Sequence, residues 1–193
     1  MAEVEVPDPN EVGETAADPF TRQVALFVAV YAVVMAVTAL GGSNAGKDMV
    51  MAQQKATNQW GYYQAKVVRE NMYLLEAEKL ELATRGAALP AEDRKRLDAA
   101  RAKYQAKADE YKREKEEIRA AAEELEKERD VAARRDPYFD YAEVLLQISI
   151  VLASVAMLSG KKWAFYASLA VAGIGLVLCA NGYGLFVKIP GLE

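Results

Sequence analysis

Residues 41–48 read Gly-Gly-Ser-Asn-Ala-Gly-Lys-Asp, and as far as Lys47 they have the spacing of a phosphate-binding loop. Asp48 then stands where the magnesium-holding Ser or Thr belongs, and an apolar helical stretch rather than a strand precedes the segment, so nucleotide binding is not expected. Other chemistries are closed by inventory. The chain has no His, and Cys179 is its only Cys. A His-held haem, a His-bearing zinc site, a Ser-His-Asp triad, a multi-Cys iron-sulfur cluster and an intrachain disulfide all need residues that are missing. Carboxylate metal sites and lysine chemistry would need neither, yet no spacing argues for them. The expectation is a non-enzymatic protein with no catalytic, cofactor-binding or metal-binding residues.

The remaining candidates are residues of contact rather than of reaction. Trp60, Tyr62, Tyr63, Gln64 and Lys66 form a dense aromatic and polar segment. As a recognition patch or subunit contact they would use the aromatic side chains that dominate interface energetics. As a helical stripe, Trp60 and Tyr63 would instead be core residues. Gly61 costs up to about 1 kcal/mol relative to Ala inside a helix, which suggests a close backbone approach beside Trp60.

Three charge-free apolar stretches, 24–40, 144–158 and 163–186, position everything else. Each approaches the roughly 20 apolar residues that carry a helix across a bilayer. Phe20, Trp163, Phe165 and Tyr166 flank them at one edge, and Tyr138, Phe139, Tyr141, Tyr183 and Phe186 at the other, as interfacial aromatic belts do. The second and third stretches are joined by Ser159, Gly160, Lys161 and Lys162, which demands a tight antiparallel turn. The spans read as 21–42, 141–160 and 163–187, with a basic turn at 161–162 and a C-terminal tail at 188–193. Residues 1–20 carry six acids and no Lys or Arg, and read as an acidic, disordered tail.

Residues 43–140 hold 20 Lys plus Arg against 20 Asp plus Glu and are rich in strong helix formers. Gly86 to Pro90 interrupts them, which predicts two helices of about 40 residues, each about 60 Å long at 1.5 Å per residue. Pro90 opens the second helix, Asp136-Pro137 closes it, and Gly41-Gly42 reads as a hinge before the first. Leu97, Tyr104, Tyr111, Ile118, Leu125 and Ala132 recur every seven residues, a coiled-coil seam. The seam is thin, because Arg101, Lys115 and Arg129 occupy companion positions. Ala56, Trp60, Tyr63, Val67, Leu74 and Ala77 offer a partner stripe, and Val68, Met72 and Leu75 leave a second apolar edge, either for another subunit or to widen the same core. The neutral charge balance gives no footprint for nucleic acid. The fold expected is an all-α membrane protein: three transmembrane helices with a long, coiled-coil-like helical hairpin inserted between the first and second.

The run Ala56-Thr57-Asn58-Gln59-Trp60-Gly61-Tyr62-Tyr63-Gln64-Ala65-Lys66 after the first membrane helix, with Lys161-Lys162-Trp163 near the end, resembles a family of bacterial membrane proteins classed only as a domain of unknown function. The resemblance extends over nearly the whole length. It implies a bacterial inner-membrane location and no activity.

Inside the membrane, Ala25, Ala29, Ala32 and Ala36 on the first helix and Ser168, Ala172, Gly173 and Gly175 on the third are small residues that let helices approach closely. They predict helix association. Gln147, Ser149, Ser154 and Asn181 are the polar residues at depth, and no ionisable group joins them. Two functions follow. The first is a homo-oligomeric membrane scaffold or accessory subunit whose hairpin mediates self-association or binds a partner membrane complex. The alternative is a small oligomeric channel or transporter whose pore is lined by Gln147, Asn181 and the serines. Arg22, Lys161 and Lys162 against Lys188 place the N-terminus and basic turn in the cytoplasm and the hairpin in the periplasm.

Overall fold

The computed structural model describes residues 18–86 and 89–189. The expected disordered tail therefore lies outside the described residues up to position 17, as do the middle of the 86–90 turn and the last four residues. The fold is all-α, with α1 over Pro19–Gly86, α2 over Ala91–Ser159 and α3 over Lys162–Gly184. All three helices contain a stretch long and apolar enough to cross a membrane.

Two expected breaks are absent. α1 runs unbroken through Gly41-Gly42, so these residues are not a hinge. α2 runs on through Pro137, so Asp136-Pro137 does not end a helix. Pro137 has no N–H to offer the carbonyl of Ala133, a defect that costs about 3 kcal/mol in a helix interior. The helix continues because Tyr138, Phe139 and Ala142, immediately beyond, are buried, and because a chain about to enter hydrocarbon must keep its backbone bonded to itself. Local propensity loses to packing.

The chain divides into two compact units, one formed by residues up to Lys47 together with those from Val131, the other by Asp48–Asp130. In the first, α1, α2 and α3 pack large residues onto small ones. Phe20, Phe27, Val28, Tyr31, Val34 and Met35 of α1 meet a core containing Ala153, Ala156, Ala164 and Ala172. The small-residue face therefore belongs to α2 and α3. Ala25, Ala29, Ala32 and Ala36 are all exposed, so within one protomer they are not the packing surface of α1. Ser168, Ala172 and Gly175 are buried; a Cβ at Gly175 would meet the carbonyl oxygen of Ala142 and side-chain atoms of Leu145 and Leu146 at 3.3 Å. Gly173 faces outward with open space around it.

Gly41 and Gly42 have another use. A Cβ at Gly41 would lie 2.6 Å from the Phe139 ring and 2.8 Å from the Tyr183 hydroxyl, and one at Gly182 would lie 2.9 Å from the same ring. Phe139 is thus seated between glycines of α1 and α3. Tyr183 meets it edge-on, with ring centroids 4.9 Å apart, and donates its hydroxyl to the Val37 carbonyl at 3.0 Å. Below this contact Thr38 is fully buried, its hydroxyl reaching the Val34 carbonyl at 2.9 Å and Cys179 Sγ at 3.2 Å. Gly160, at φ +64°, makes the turn into α3.

Asp136 stands just ahead of the second span. Burial, and then the charge of Asp140 one turn on, hold its carboxyl above the usual aspartate range. A raised carboxyl favours the protonated folded state, so its contribution to stability is present at low pH and is lost as pH rises through the folded value. Asp136→Asn should therefore raise the thermal midpoint in detergent at neutral pH. The gain over wild type should vanish toward about pH 4, where aspartate protonates even when unfolded.

Candidate interaction surfaces

The hairpin unit shows how a thin seam is filled. Leu97, Tyr104, Tyr111, Ile118 and Leu125 are half-buried along α2, facing a seven-residue series on α1 made of Ala56, Tyr63, Glu70, Ala77 and Thr84. The cations that interrupt the α2 stripe find acceptors across the gap. Lys115 pairs with the buried Glu70, Arg101 with Glu81 at 2.8 Å, and Arg129 with the Gln53 side-chain oxygen at 2.9 Å. Lys66 pairs with Glu114, and Trp60 Nε1 donates to Glu126 at 2.9 Å. From the Gln53–Arg129 pair at one end to the Glu81–Arg101 pair at the other, the residue number rises on α1 as it falls on α2, so this polar ladder records an antiparallel register. Registry is the best-attested use of polar groups in such seams.

Aromatic contacts reinforce it. Tyr73 lies between Tyr104 and Tyr111, stacked on the latter at 5.6 Å with 17° between planes. The Lys66 ammonium lies 4.9 Å above the Tyr111 ring, within cation–π range. Trp60 meets Tyr63 edge-on at 5.5 Å.

The aromatic segment is therefore divided by helix geometry. Trp60, Tyr63 and Lys66 belong to the intramolecular seam, whereas Tyr62 and Gln64 point away and are exposed. Nothing lies within 4 Å of where a Gly61 Cβ would be, so the close approach expected beside Trp60 does not occur within the protomer. Leu74, expected in the partner stripe, is exposed, and Tyr73 takes its place in the seam. Glu70, Tyr73, Glu114 and Glu126 were missed. The seven-residue step from Ala56 and Tyr63 to Glu70 and Ala77 is the signal in the sequence for Glu70.

A second face of α1 is unpartnered. Met51, Gln54, Asn58, Gly61, Ala65, Val68, Met72, Leu75, Lys79 and Leu82 follow one another at alternating steps of three and four, and every one is exposed. This is a seven-residue repeat in its own right, with small residues at Gly61 and Ala65 and apolar ones at Val68, Met72, Leu75 and Leu82, interrupted by Lys79.

In the membrane unit, the polar residues at depth do not converge. Ser149 is buried and donates to the Leu145 carbonyl at 2.8 Å. Asn181 is buried and clamps the segment that follows α3, its amide nitrogen donating to the Val187 carbonyl at 2.8 Å and its oxygen accepting from the Val187 N–H at 2.9 Å. Gln147 and Ser154 are exposed, the first donating to Glu143 at 3.3 Å, the second to the Ile150 carbonyl at 2.8 Å. The Tyr31 hydroxyl is buried without a hydrogen-bond partner. No group of three or more potential metal ligands occurs among the described residues.

Three helices with membrane-crossing stretches, carrying a charged antiparallel hairpin between the first and second, define a multi-pass membrane protein with an inserted helical-hairpin unit. The chain belongs to the family described as a domain of unknown function, DUF4337, which it matches over residues 20–185. No curated protein and no solved structure matches it.

Proposed function

We propose that the protein is a non-enzymatic membrane scaffold whose copies associate through the second seven-residue stripe of α1. The observation that carries this reading is the stripe itself: Val68, Met72, Leu75 and Leu82 are each more than half exposed although they sit in a charged, water-facing hairpin. An unbroken alternation of three and four is the repeat that another helix fits by knobs-into-holes packing. Contiguous apolar surface of this kind in water marks an interaction site. Gly61 and Ala65 would let two backbones approach closely, which gives Gly61 a reason its own protomer does not supply.

The channel reading has less support. Two of its four lining candidates, Ser149 and Asn181, are buried within the protomer and bonded to backbone, and the apolar stretches 24–40, 144–158 and 163–186 hold no Asp, Glu, Lys or Arg to accompany them. In this proposal the membrane is a bacterial inner membrane, with the N-terminus and the Lys161-Lys162 turn cytoplasmic and the hairpin periplasmic. The exposed cations Arg22, Lys161 and Lys162 at one end favour that orientation.

The test is the triple variant Val68→Glu, Met72→Glu, Leu75→Glu. Burying each of these side chains is worth about 1.5–3 kcal/mol, so their loss should reduce an oligomeric particle in nanodiscs to the mass of one chain while leaving the helical circular dichroism unchanged. Wild-type protein that is monomeric at micromolar concentration, or a triple variant that stays oligomeric, refutes the reading.

A further inference from the structure

A cleft of about 480 Å³ opens between the amino ends of α1 and α3, and both of its ends have chemistry. Asp18, Gln23 and Lys162 line its rim, and Phe27, Phe165 and Leu169 line it one to two turns further along the membrane-crossing stretches. Phe165 makes edge-on contacts with Phe20 at 5.8 Å and Phe27 at 5.3 Å, which brace the aromatic wall.

The rim carries opposite charges that do not neutralise each other. Asp18 and Lys162 line one cleft yet make no ion pair. Among the described residues the Asp18 carboxylate accepts only a long contact from the Thr21 hydroxyl, 3.4 Å, and has lone pairs to spare. The Gln23 side chain and the Lys162 ammonium make no hydrogen bond or ion pair among the described residues. α3 begins without a side-chain cap; the Ala164 N–H is taken up by the Lys161 carbonyl at 3.2 Å, and the N–H groups of Lys162 and Trp163 are left at the same end as the Lys162 side chain. An occupant must therefore present an anion toward Lys162 and Gln23, a cation toward Asp18, and a hydrocarbon tail along Phe27 and Leu169.

We propose that this cleft binds one phospholipid with a primary-ammonium, zwitterionic head group. The phosphate accepts from Lys162 and Gln23, the ammonium donates to Asp18, and one acyl chain lies on the Phe27, Phe165 and Leu169 wall. Neither a free phosphate nor an acidic peptide has a use for the apolar wall. A lipid with a glycerol head group offers Asp18 only neutral hydroxyl donors, weaker than an ammonium, and one with a quaternary ammonium cannot donate a hydrogen bond to it. This site is independent of the hairpin stripe and stands whether or not copies associate through it.

The experiment is native mass spectrometry of the delipidated full-length protein in detergent, titrated with phosphatidylethanolamine, phosphatidylcholine and phosphatidylglycerol of matched acyl chains. The expected result is one phosphatidylethanolamine per protomer, bound about fivefold more tightly than either other lipid, the factor that one charge at a membrane surface supplies. Asp18→Asn should abolish that preference while leaving phosphatidylglycerol binding intact. Lys162→Gln should weaken all three lipids by about fivefold. Both substitutions are on exposed residues and leave the helical core untouched, and Gln23→Leu provides a third test through loss of phosphate contact. Equal affinity for the three lipids, a preference that survives Asp18→Asn, or displacement of lipid by millimolar inorganic phosphate would each overturn the assignment.

Discussion

Gly41→Leu should destabilise the membrane unit by about 3 kcal/mol, the upper part of the range for overpacking a well-filled core. The Phe139 ring already lies where even a methyl group at position 41 would be, 2.6 Å from the nearest ring carbon. Moving the ring aside would disturb its contacts with Gly42, Gly182 and the edge-on Tyr183, and the Tyr183 hydroxyl lies 2.8 Å from the same Cβ position. Gly182→Leu should behave alike, since a Cβ there meets the same ring at 2.9 Å. Gly173→Ala is the control: it faces open space, and alanine in a helix gains up to about 1 kcal/mol over glycine. Reversible unfolding in detergent reads the difference. Gly41→Leu combined with Phe139→Ala should lose less than the sum of the two single changes, because the leucine enters the room the ring leaves and neighbouring substitutions couple.

The second large effect lies in the hairpin. Lys115→Ala and Glu70→Ala should each cost about 2 kcal/mol, below the 3–5 kcal/mol of a fully buried pair because the site keeps some solvent. Side-chain exposures of 17% for Lys115 and 10% for Glu70 set that discount. Each single change strands a charge against the tyrosine-lined seam. Glu70→Leu with Lys115→Leu together should be at least as stable as wild type, since two fitted apolar side chains avoid both desolvation costs. What the double variant should lose is register: disulfides engineered across the hairpin out of register would then form at rates closer to those in register. The Glu70 hydrogen bond holds the Lys115 ammonium above the ordinary lysine value. The stabilisation is therefore present below the unfolded lysine value and is lost only as pH rises through the higher folded one. It should be flat across the neutral range.

Much of this architecture could be read directly from the chain. Charge-free runs around residues 24–40, 144–158 and 163–186 mark where hydrocarbon is the solvent, and the 161–162 turn follows from the few residues between them. The breaks at Gly41-Gly42 and Asp136-Pro137 were misread for a common reason. Local rules treat glycine as freedom and proline as a stop, whereas here the glycines are seats for Phe139 and the proline is overridden by the packing just beyond it. Nothing in a single sequence couples residue 41 to residues 139 and 182.

The alanines of α1 show a related limit. Small residues signal that helices can approach, but not which partner does so, and α1 packs through Val24, Phe27 and Tyr31 instead. In the hairpin the seven-residue repeat of α2 is legible, yet its cations look like defects because their acceptors lie 20 to 76 positions away on the other helix. On α1 the sequence marks Val68, Met72 and Leu75 as a second apolar edge, and the exposed stripe also takes in Met51, Gly61, Ala65 and Leu82.

Cysteine cross-linking tests the scaffold proposal most directly. With Cys179, the only native cysteine, replaced by Ser, single cysteines at Ala65, Val68, Met72 and Leu75 should each form a disulfide between copies under mild oxidation in nanodiscs. Cysteines at Leu74 and Lys103, which are exposed but lie off the stripe, should not. Disulfides that follow the alternation of three and four would establish the stripe as the contact between copies. Disulfides at Leu74 or Lys103 as fast as those on the stripe, or none at any of the four stripe positions, would contradict it.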